Sequence, residues 1–422
     1  MRKIARLAAA SAVGTALEWY DFTIYNVMAA LVFNRVFFPS FDPLAGTLLA
    51  FSTYAVGYFA RPMGGVVFGR LGDQRGRRFV LVATLILMGI ATALIGLLPS
   101  YQHWGVWSSV LLVFLRFVQG AAIGGEWAGA VLLSLEHGAA HQRGRNGSFA
   151  QMGPASGTLL GTGVIALVGI LVTPAAFESW GWRVPFGLSA VLVIFGLWLR
   201  YGVEETPAFM QLKSAGLSSD TPIQEVFRLH KRPLFTCIGV RVGPDVMYAL
   251  LAVFTLTYVT TVMHLPRSIG LSAAMAGAVC HAISIPFFGS LTDRLGRRPV
   301  YAIGSVLSVI WAFVYFVLMD SRRPILIGLA VAAGLAIHGS MYGPQAAFIA
   351  EQFPARVRYA GASVSYTLAG VVAGALAPLL FALIYQAYGS TIPISLYVAA
   401  ALGITTMTLW CARETARLPL AN

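Results

Sequence analysis

Twelve runs of about twenty apolar residues divide the chain, near 12–33, 45–69, 79–98, 107–134, 146–172, 184–202, 234–262, 268–291, 299–319, 325–349, 359–386 and 391–411. A run of that length crosses the hydrocarbon core of a bilayer as a helix. With no water inside the bilayer, each segment must satisfy its own backbone, so helices are the expected form. At 58% hydrophobic and only 11% charged residues, with a mean hydropathy of +0.75, the composition excludes a soluble domain, for which about a quarter of residues are charged. The basic start from Met1 to Leu7 resembles a signal peptide, but Glu18 and Asp21 interrupt the apolar stretch behind it and the stretch runs on. A retained first helix is expected.

The runs form two sets of six. Gly69 to Arg78, GRLGDQRGRR, returns 220 residues later at Gly289 to Arg298 as GSLTDRLGRR, with Asp73, Arg77 and Arg78 falling on Asp293, Arg297 and Arg298. Each copy is a short basic turn between apolar runs, where glycine allows reversal and arginine stays in water or at lipid phosphates. A second echo, at an offset of 215, relates Glu136, Arg143 and Ser148 to Glu351, Arg358 and Ser363. Both offsets join segments of the same direction, which indicates parallel repeats about an axis along the membrane normal, with a substrate path between them. The expected organisation is an N-terminal bundle over 1–203, a linker over 204–233 and a C-terminal bundle over 234–422.

Charge orients the chain. With the N-terminus cytoplasmic, 21 of the 29 Lys and Arg lie in loops and termini on that side and five on the other, and Arg61, Arg116 and Arg241 fall inside spans. The bias places both termini in the cytoplasm. The net charge of +13 does not indicate nucleic acid, because the basic residues punctuate the apolar runs instead of clustering on one face. Cys237, Cys280 and Cys411 lie in or beside apolar segments without CxxC spacing, so no disulfide framework, metal or cofactor is expected. The chain has no GxxxxGK[ST], HExxH or GxSxG, which argues against ATP-driven transport and against a membrane hydrolase.

Charges inside the hydrocarbon mark function, because each costs at least about 2.5 to 3.5 kcal/mol on insertion scales unless it faces a cavity or a partner. Glu18, Asp21 and Tyr25 share one helical face through spacings of three and four. A carboxylate there, meeting Arg116 alternately, can load and release a proton. In the fourth run Arg116, Gln119, Ile123 and Glu126 line up, beside Gly120, Gly124, Gly125 and Gly129, which permit close helix approach. Arg61 lies too deep for an ordinary interfacial residue, with snorkelling to the boundary as its alternative. Arg241, Asp245 and Tyr248 are again three to four apart, and Pro244 should break the helix locally and free carbonyls toward a cavity. Arg241 suits a carboxylate through paired donors, or else pairs internally with Asp245. Tyr54, Tyr58, Tyr342 and Tyr366 fit packing or ligand contact, and His281 and His338 fit the core.

The motifs EWYDF, ARPMGG, FGRLGDQRGRR, RFVQGAAIGGEW, WGWRVPF, EETPAF and EQFPARVRYAGASVSY resemble, in this order and over essentially the whole chain, the metabolite:proton symporter family of the major facilitator superfamily. That family includes shikimate, α-ketoglutarate, citrate and proline/betaine carriers. The resemblance implies an all-α fold of two pseudo-symmetric six-helix bundles and proton coupling through Asp21 and Arg116. It also implies that Arg61, Gln119 and Glu126 border the central cavity. VFNRVFF, ATALIGLLPSY and the Arg241 to Tyr248 segment are most similar to shikimate-type carriers. Asn26 stands where the family often has Gly, adding a hydrogen-bonding amide, and no heptad tail like that of the osmosensing proline/betaine branch follows Thr415.

The expected function is proton-coupled symport of a small organic acid across a bacterial cytoplasmic membrane by a protein complete as a monomer. Alternatives are an uncoupled facilitator or exchanger, a zwitterion symporter, a non-transporting sensor and a membrane enzyme. Candidate residues are Asp21, Arg116, Glu18 and Glu126 for proton coupling. Arg241, Tyr248, Tyr25, Gln119, Arg61, Asn26, Tyr54 and Tyr58 are candidates for substrate binding, and Asp73, Arg77, Asp293 and Arg297 for gating.

Overall fold

The computed structural model describes residues 2–39, 43–202, 204–418 and 420, and the side chains of these apart from 2–10, 30, 43–52, 54 and 201. Among them there is no strand. Ten helical segments of the described residues are long and apolar enough to cross a membrane. Two further rods, α1 (Arg2–Met28) with Glu18 and Asp21, and α2 (Pro43–Gln74) with Arg61, complete the twelve.

The remaining rods of the first half are α3 (Arg77–Leu97), α4 (Val106–His137), α5 (Gly153–Leu171) and α6 (Val184–Tyr201). The second half holds α7 (Lys231–Tyr248), α8 (Arg267–Leu295), α9 (Arg297–Asp320), α10 (Pro324–Glu351), α11 (Arg358–Ala369, continued by Ala377–Tyr388) and α12 (Ile392–Cys411). The polar stretch between the halves contains two short helices, Pro207–Ser214 and Pro222–Leu229. Each has proline in its first turn, where the missing N–H would be unpaired anyway. The first is capped by the Thr206 hydroxyl, which accepts from Phe209 N.

Helix faces follow the solvent on either side. On α3, exposed Ile86, Ile90, Leu94 and Leu97 form a stripe at helical spacing, and on α9 Ile303, Ile310 and Val317 do the same. An exposed apolar stripe of this kind suits lipid. The opposite face of each rod packs on its neighbours, and small residues bring backbones together. A Cβ on Gly120 would meet the Gly57 carbonyl, one on Gly124 the Arg61 carbonyl and one on Gly64 the Ala121 carbonyl, so α2 and α4 touch main chain to main chain.

Pro244 does not break α7, contrary to expectation. The helix runs through it, and π-helical turns follow at Ala249–Phe254 and Tyr258–Val262. The carbonyl that the missing Pro244 N–H leaves free is that of Val240, and it accepts from the Tyr301 hydroxyl on α9 at 2.7 Å. The freed group is consumed inside the bundle.

Candidate functional site

The two halves meet at the end of the bundle that carries the repeated turns, here called the basic end. Gly76 and Gly296, with φ of 113° and 100°, adopt a conformation open to glycine and little else, which reverses the chain between consecutive rods. Glu205 then accepts from the Arg77 and Arg78 amides at 3.0 and 3.2 Å, and Glu414 from those of Arg297 and Arg298 at 3.1 and 2.9 Å. Each glutamate therefore caps the start of the rod after the turn. Burial pushes the Glu414 carboxyl up, but the four amides of Ala416, Arg298, Arg297 and Thr415 hold it below the ordinary carboxylate value.

Each turn aspartate reaches the other half. Asp73 accepts from Tyr359 N and Ala360 N, at 3.2 and 2.9 Å, at the start of α11. Asp293 accepts from Gly144 N and Arg145 N, at 2.8 and 3.0 Å, at the start of the helix Arg143–Ala150. A carboxylate suits both places because unpaired amides and the helix dipole converge there. Arg77 donates to Gly72 O and Ala355 O, and Arg297 pairs with Asp293 and Glu351 at 2.8 and 3.1 Å. Ion pairs also cross the interface, among them Arg143 with Glu351 at 3.2 Å and Arg358 with Glu136 at 3.0 Å. The basic end is closed, and Asp73, Arg77, Asp293 and Arg297 all lie in its seal.

Above the seal, aromatic rings bridge the halves. Trp127 stacks on Tyr366 with centroids 3.6 Å apart, and its Nε1 donates to Gln151 Oε1 at 2.6 Å. Gln151 in turn donates to the Tyr342 carbonyl, and the Tyr342 and Tyr366 hydroxyls lie 3.2 Å apart. Arg241 lies 3.1 Å over the Tyr366 ring, donates to the Tyr366 carbonyl and pairs with Asp245 at 2.8 Å. Its charge is met within its own half. Tyr248 packs beside His338 and His281, which hydrogen-bond to each other at 2.9 Å, and His338 Nε2 donates to Pro244 O.

In the first half, Arg116 lies over the rings of Tyr25 and Phe22, 4.0 and 4.6 Å from their centroids. Asp21 and Arg116 are not joined by a direct ion pair. Asp21 accepts from Ser189 at 2.5 Å and Thr92 at 2.8 Å, Gln119 donates to Thr92 at 2.7 Å, and Arg116 donates to Gln119 at 3.3 Å. Two polar side chains thus separate acid from cation. Tyr25 shares a 2.5 Å hydrogen bond with Thr53, and the Asn26 side-chain oxygen is buried without a hydrogen-bond partner. Tyr54 lies on α2 with its side chain outside the described residues.

Arg61 stands apart from the other cations. It is 6% exposed, its guanidinium is 3.9 Å from the Tyr58 ring centroid and 4.9 and 5.9 Å from those of Phe22 and Trp19, and its Nε has no hydrogen-bond partner. No carboxylate among the described residues forms an ion pair with it.

Glu18 and Glu126 turn away from Arg116 toward Arg200. Arg200 lies at the end of the sixth apolar run and reads in the sequence as a cytoplasmic loop residue, but it is 3% exposed and forms an ion pair with Glu126. The correction follows from packing, because a Cβ on Gly14 would overlap the Arg200 guanidinium. That glycine on α1 makes the recess. The sequence reading also missed Ser189, Thr92, Trp127, Gln151, Glu205 and Glu414. Only the last two carry a signal, since Glu205–Thr206 and Glu414–Thr415 repeat one dipeptide after each half.

The model of the family described as sugar (and other) transporter matches residues 7–221, and that of the Major Facilitator Superfamily matches residues 265–421. A shikimate transporter of Escherichia coli (strain K12) is 38% identical, over 98% of this chain and 95% of its own length. A proline/betaine transporter of the same strain is 34% identical, over 99% of this chain and 85% of its own. Among solved structures, the proton:xylose symporter XylE bound to 6-bromo-6-deoxy-D-glucose superposes with a TM-score of 0.79 at 17% identity, covering 98% of this chain and 96% of that one, a likeness of fold.

Proposed function

The chain belongs to the major facilitator superfamily, a multi-pass membrane transporter and not an enzyme, and from that premise we propose that it carries a small organic anion together with protons by alternating access. The observation that carries this reading is Arg61, a buried guanidinium that forms no ion pair with a carboxylate among the described residues. A buried charge left uncompensated is costly, and a substrate carboxylate supplies what is missing. Arg241, the first choice from sequence, is already neutralised by Asp245. The relative named as a shikimate transporter supports an organic acid.

Asp21 supports proton coupling. Ser189 and Thr92 hold its two oxygens, and no cation among the described residues forms an ion pair with it, so a proton can reside there and leave when Arg116 closes in. We assign the basic end to the cytoplasm of a bacterial inner membrane, consistent with the positive-inside bias. A complete pathway within one twelve-helix chain makes a monomer sufficient. The second reading, a zwitterion, draws on the proline/betaine relative. It requires Asp245 to leave Arg241 and hold the cationic end.

The test is uptake into proteoliposomes under an inward proton gradient, with shikimate, other carboxylates, proline and betaine offered in turn. The expected result is uphill accumulation of a carboxylate with acidification of the lumen. Accumulation without proton movement would establish a facilitator or exchanger, and selective uptake of proline or betaine would establish the zwitterion reading.

A further inference from the structure

The linker between the halves ends in a group of cations at the rim of the lipid-facing surface. The short helix Pro222–Leu229 runs into α7 with only His230 between them. Arg228, Lys231 and Arg232 are exposed, and so are Leu229, at 70%, and Phe235. Phe235 stands about one turn beyond Lys231 on α7. The cations therefore lie where the apolar surface of the rod begins, at the depth of lipid headgroups.

The end of α12 lies against this start. A Cβ on Gly239 would meet the Thr408 hydroxyl, and Gly243 N donates to Thr405 at 2.9 Å, so α7 and α12 run in close contact. At the basic end, Arg232 donates to the Cys411 carbonyl at 3.3 Å, and Arg298 of α9 donates to the Leu409 and Trp410 carbonyls at 2.9 and 3.0 Å. Two guanidinium groups are thus held by three consecutive carbonyls at one helix end. A guanidinium carries five N–H donors, so most of those on Arg232 remain for another acceptor. Trp410, 76% exposed, stands beside them in the position of an interfacial aromatic.

The neighbouring acids do not cancel this charge. Glu225, on the linker helix, turns to Arg356 at 2.6 Å and to His230 at 3.7 Å. Asp293 and Glu351 are matched within the seal by Arg297 and Arg143. Glu414 accepts from the amides of Arg297, Arg298, Thr415 and Ala416 and keeps its charge. It stands against Arg228, Lys231, Arg232, Arg298 and the exposed Arg413, and the corner stays strongly positive.

We propose that this corner of α7, α12 and the linker helix binds the headgroup of an anionic phospholipid, with the phosphate at Arg232 and Arg298 and the acyl chains along Phe235 and Met407. Basic clusters between membrane helices, at the ends of the rods, recognise such lipids. A lipid matches both features of the site, cations at headgroup depth and exposed apolar side chains directly above. A free anion would leave Leu229, Phe235 and Trp410 without a partner. The inference needs only the bilayer, and it holds whatever cargo the protein carries.

Native mass spectrometry of the delipidated full chain tests it, with phosphatidylglycerol, phosphatidylcholine and inorganic phosphate added in turn. Each Lys or Arg near an anionic lipid surface contributes a factor of about five in binding. The wild type is expected to retain phosphatidylglycerol about tenfold better than phosphatidylcholine, and the triple variant Arg228→Gln, Lys231→Gln, Arg232→Gln to retain both alike. A control variant, Arg70→Gln, Arg75→Gln, Lys213→Gln, removes the same charge from exposed positions elsewhere at the basic end and should keep the preference. Arg228→Lys with Arg232→Lys keeps the cations should the triple variant misfold, and it should keep most of the preference. Equal retention of the two lipids by the wild type, or a preference that survives the triple variant, overturns the site. Equal loss in the control overturns it too, in favour of diffuse surface charge, and displacement of phosphatidylglycerol by inorganic phosphate makes it a site for a free anion instead.

Discussion

Arg143 pairs with Glu351 at 3.2 Å across the two halves, and 215 positions on, their repeats Arg358 and Glu136 make the same pair at 3.0 Å with donor and acceptor halves exchanged. All four side chains are at most 4% exposed. Breaking a buried pair by removing one partner costs about 3 to 5 kcal/mol, comparable with the free-energy gap between two conformers of a switching protein. Arg143→Glu should therefore shift the protein toward the form open at the basic end, and further than Arg143→Lys, which keeps a cation opposite Glu351. Cysteine labelling at the basic end reads the population. No change in Arg143→Glu would remove the pair from the gate.

Asp73 acts on the same equilibrium more weakly, as a cap on two amides of α11. Losing a cap costs about 0.5 to 2 kcal/mol, and asparagine caps nearly as well as aspartate. Asp73→Ala should slow transport and raise labelling at the basic end, with Asp73→Asn close to wild type. If Asn and Ala behave alike, the charge beside Arg77 matters instead of the cap.

Substrate affinity should depend on Arg61 more than on Arg241. A charge-assisted hydrogen bond contributes roughly 1.5 to 3 kcal/mol, so Arg61→Ala should weaken carboxylate binding by about ten- to a hundredfold. Arg61→Lys recovers this only in part, because lysine lacks the planar fork and its stacking on Tyr58. Equilibrium binding to the purified protein measures it. A larger loss in Arg241→Ala than in Arg61→Ala would return the anion to the C-terminal half.

Asp21 carries the coupling prediction. Asp21→Asn keeps a polar group between Ser189 and Thr92 but cannot cycle a proton. Uphill accumulation should be lost while substrate exchange between preloaded vesicles and medium continues. Normal accumulation in this variant would exclude Asp21 as the carrier.

The cap at Glu414 predicts a dependence on pH. Its carboxyl is held below the ordinary value in the folded chain, so its contribution is complete above the unfolded value and is lost as pH falls through the folded one. Thermal stability of Glu414→Gln should lie below wild type at neutral pH, with the gap closing in acid. A gap that is constant with pH would show that the carboxylate does not act as the cap.

What the sequence determined by itself is the part that repeats or recurs. Twelve apolar runs dictate helices because a bilayer permits little else, and the two echoes announce paired halves. They also hold the ion-paired side chains of the seal. Arginine and glutamate at a constant offset mark a symmetry, but only the assembled halves show that each arginine crosses to the other copy. The interior of the first half was legible as a set of charges and not as pairs. Spacing of three and four puts Glu18 and Asp21 on one side of α1, yet the fold sends Asp21 to Ser189 and Thr92, and Glu18 to Glu126 and Arg200. The partners come from rods more than fifty residues away in sequence, and helical periodicity carries no information about which rod lies opposite. Arg241 and Arg61 make the same point from the two halves. Both are single arginines in apolar runs, and only tertiary packing gave one of them Asp245 and left the other among three aromatic rings.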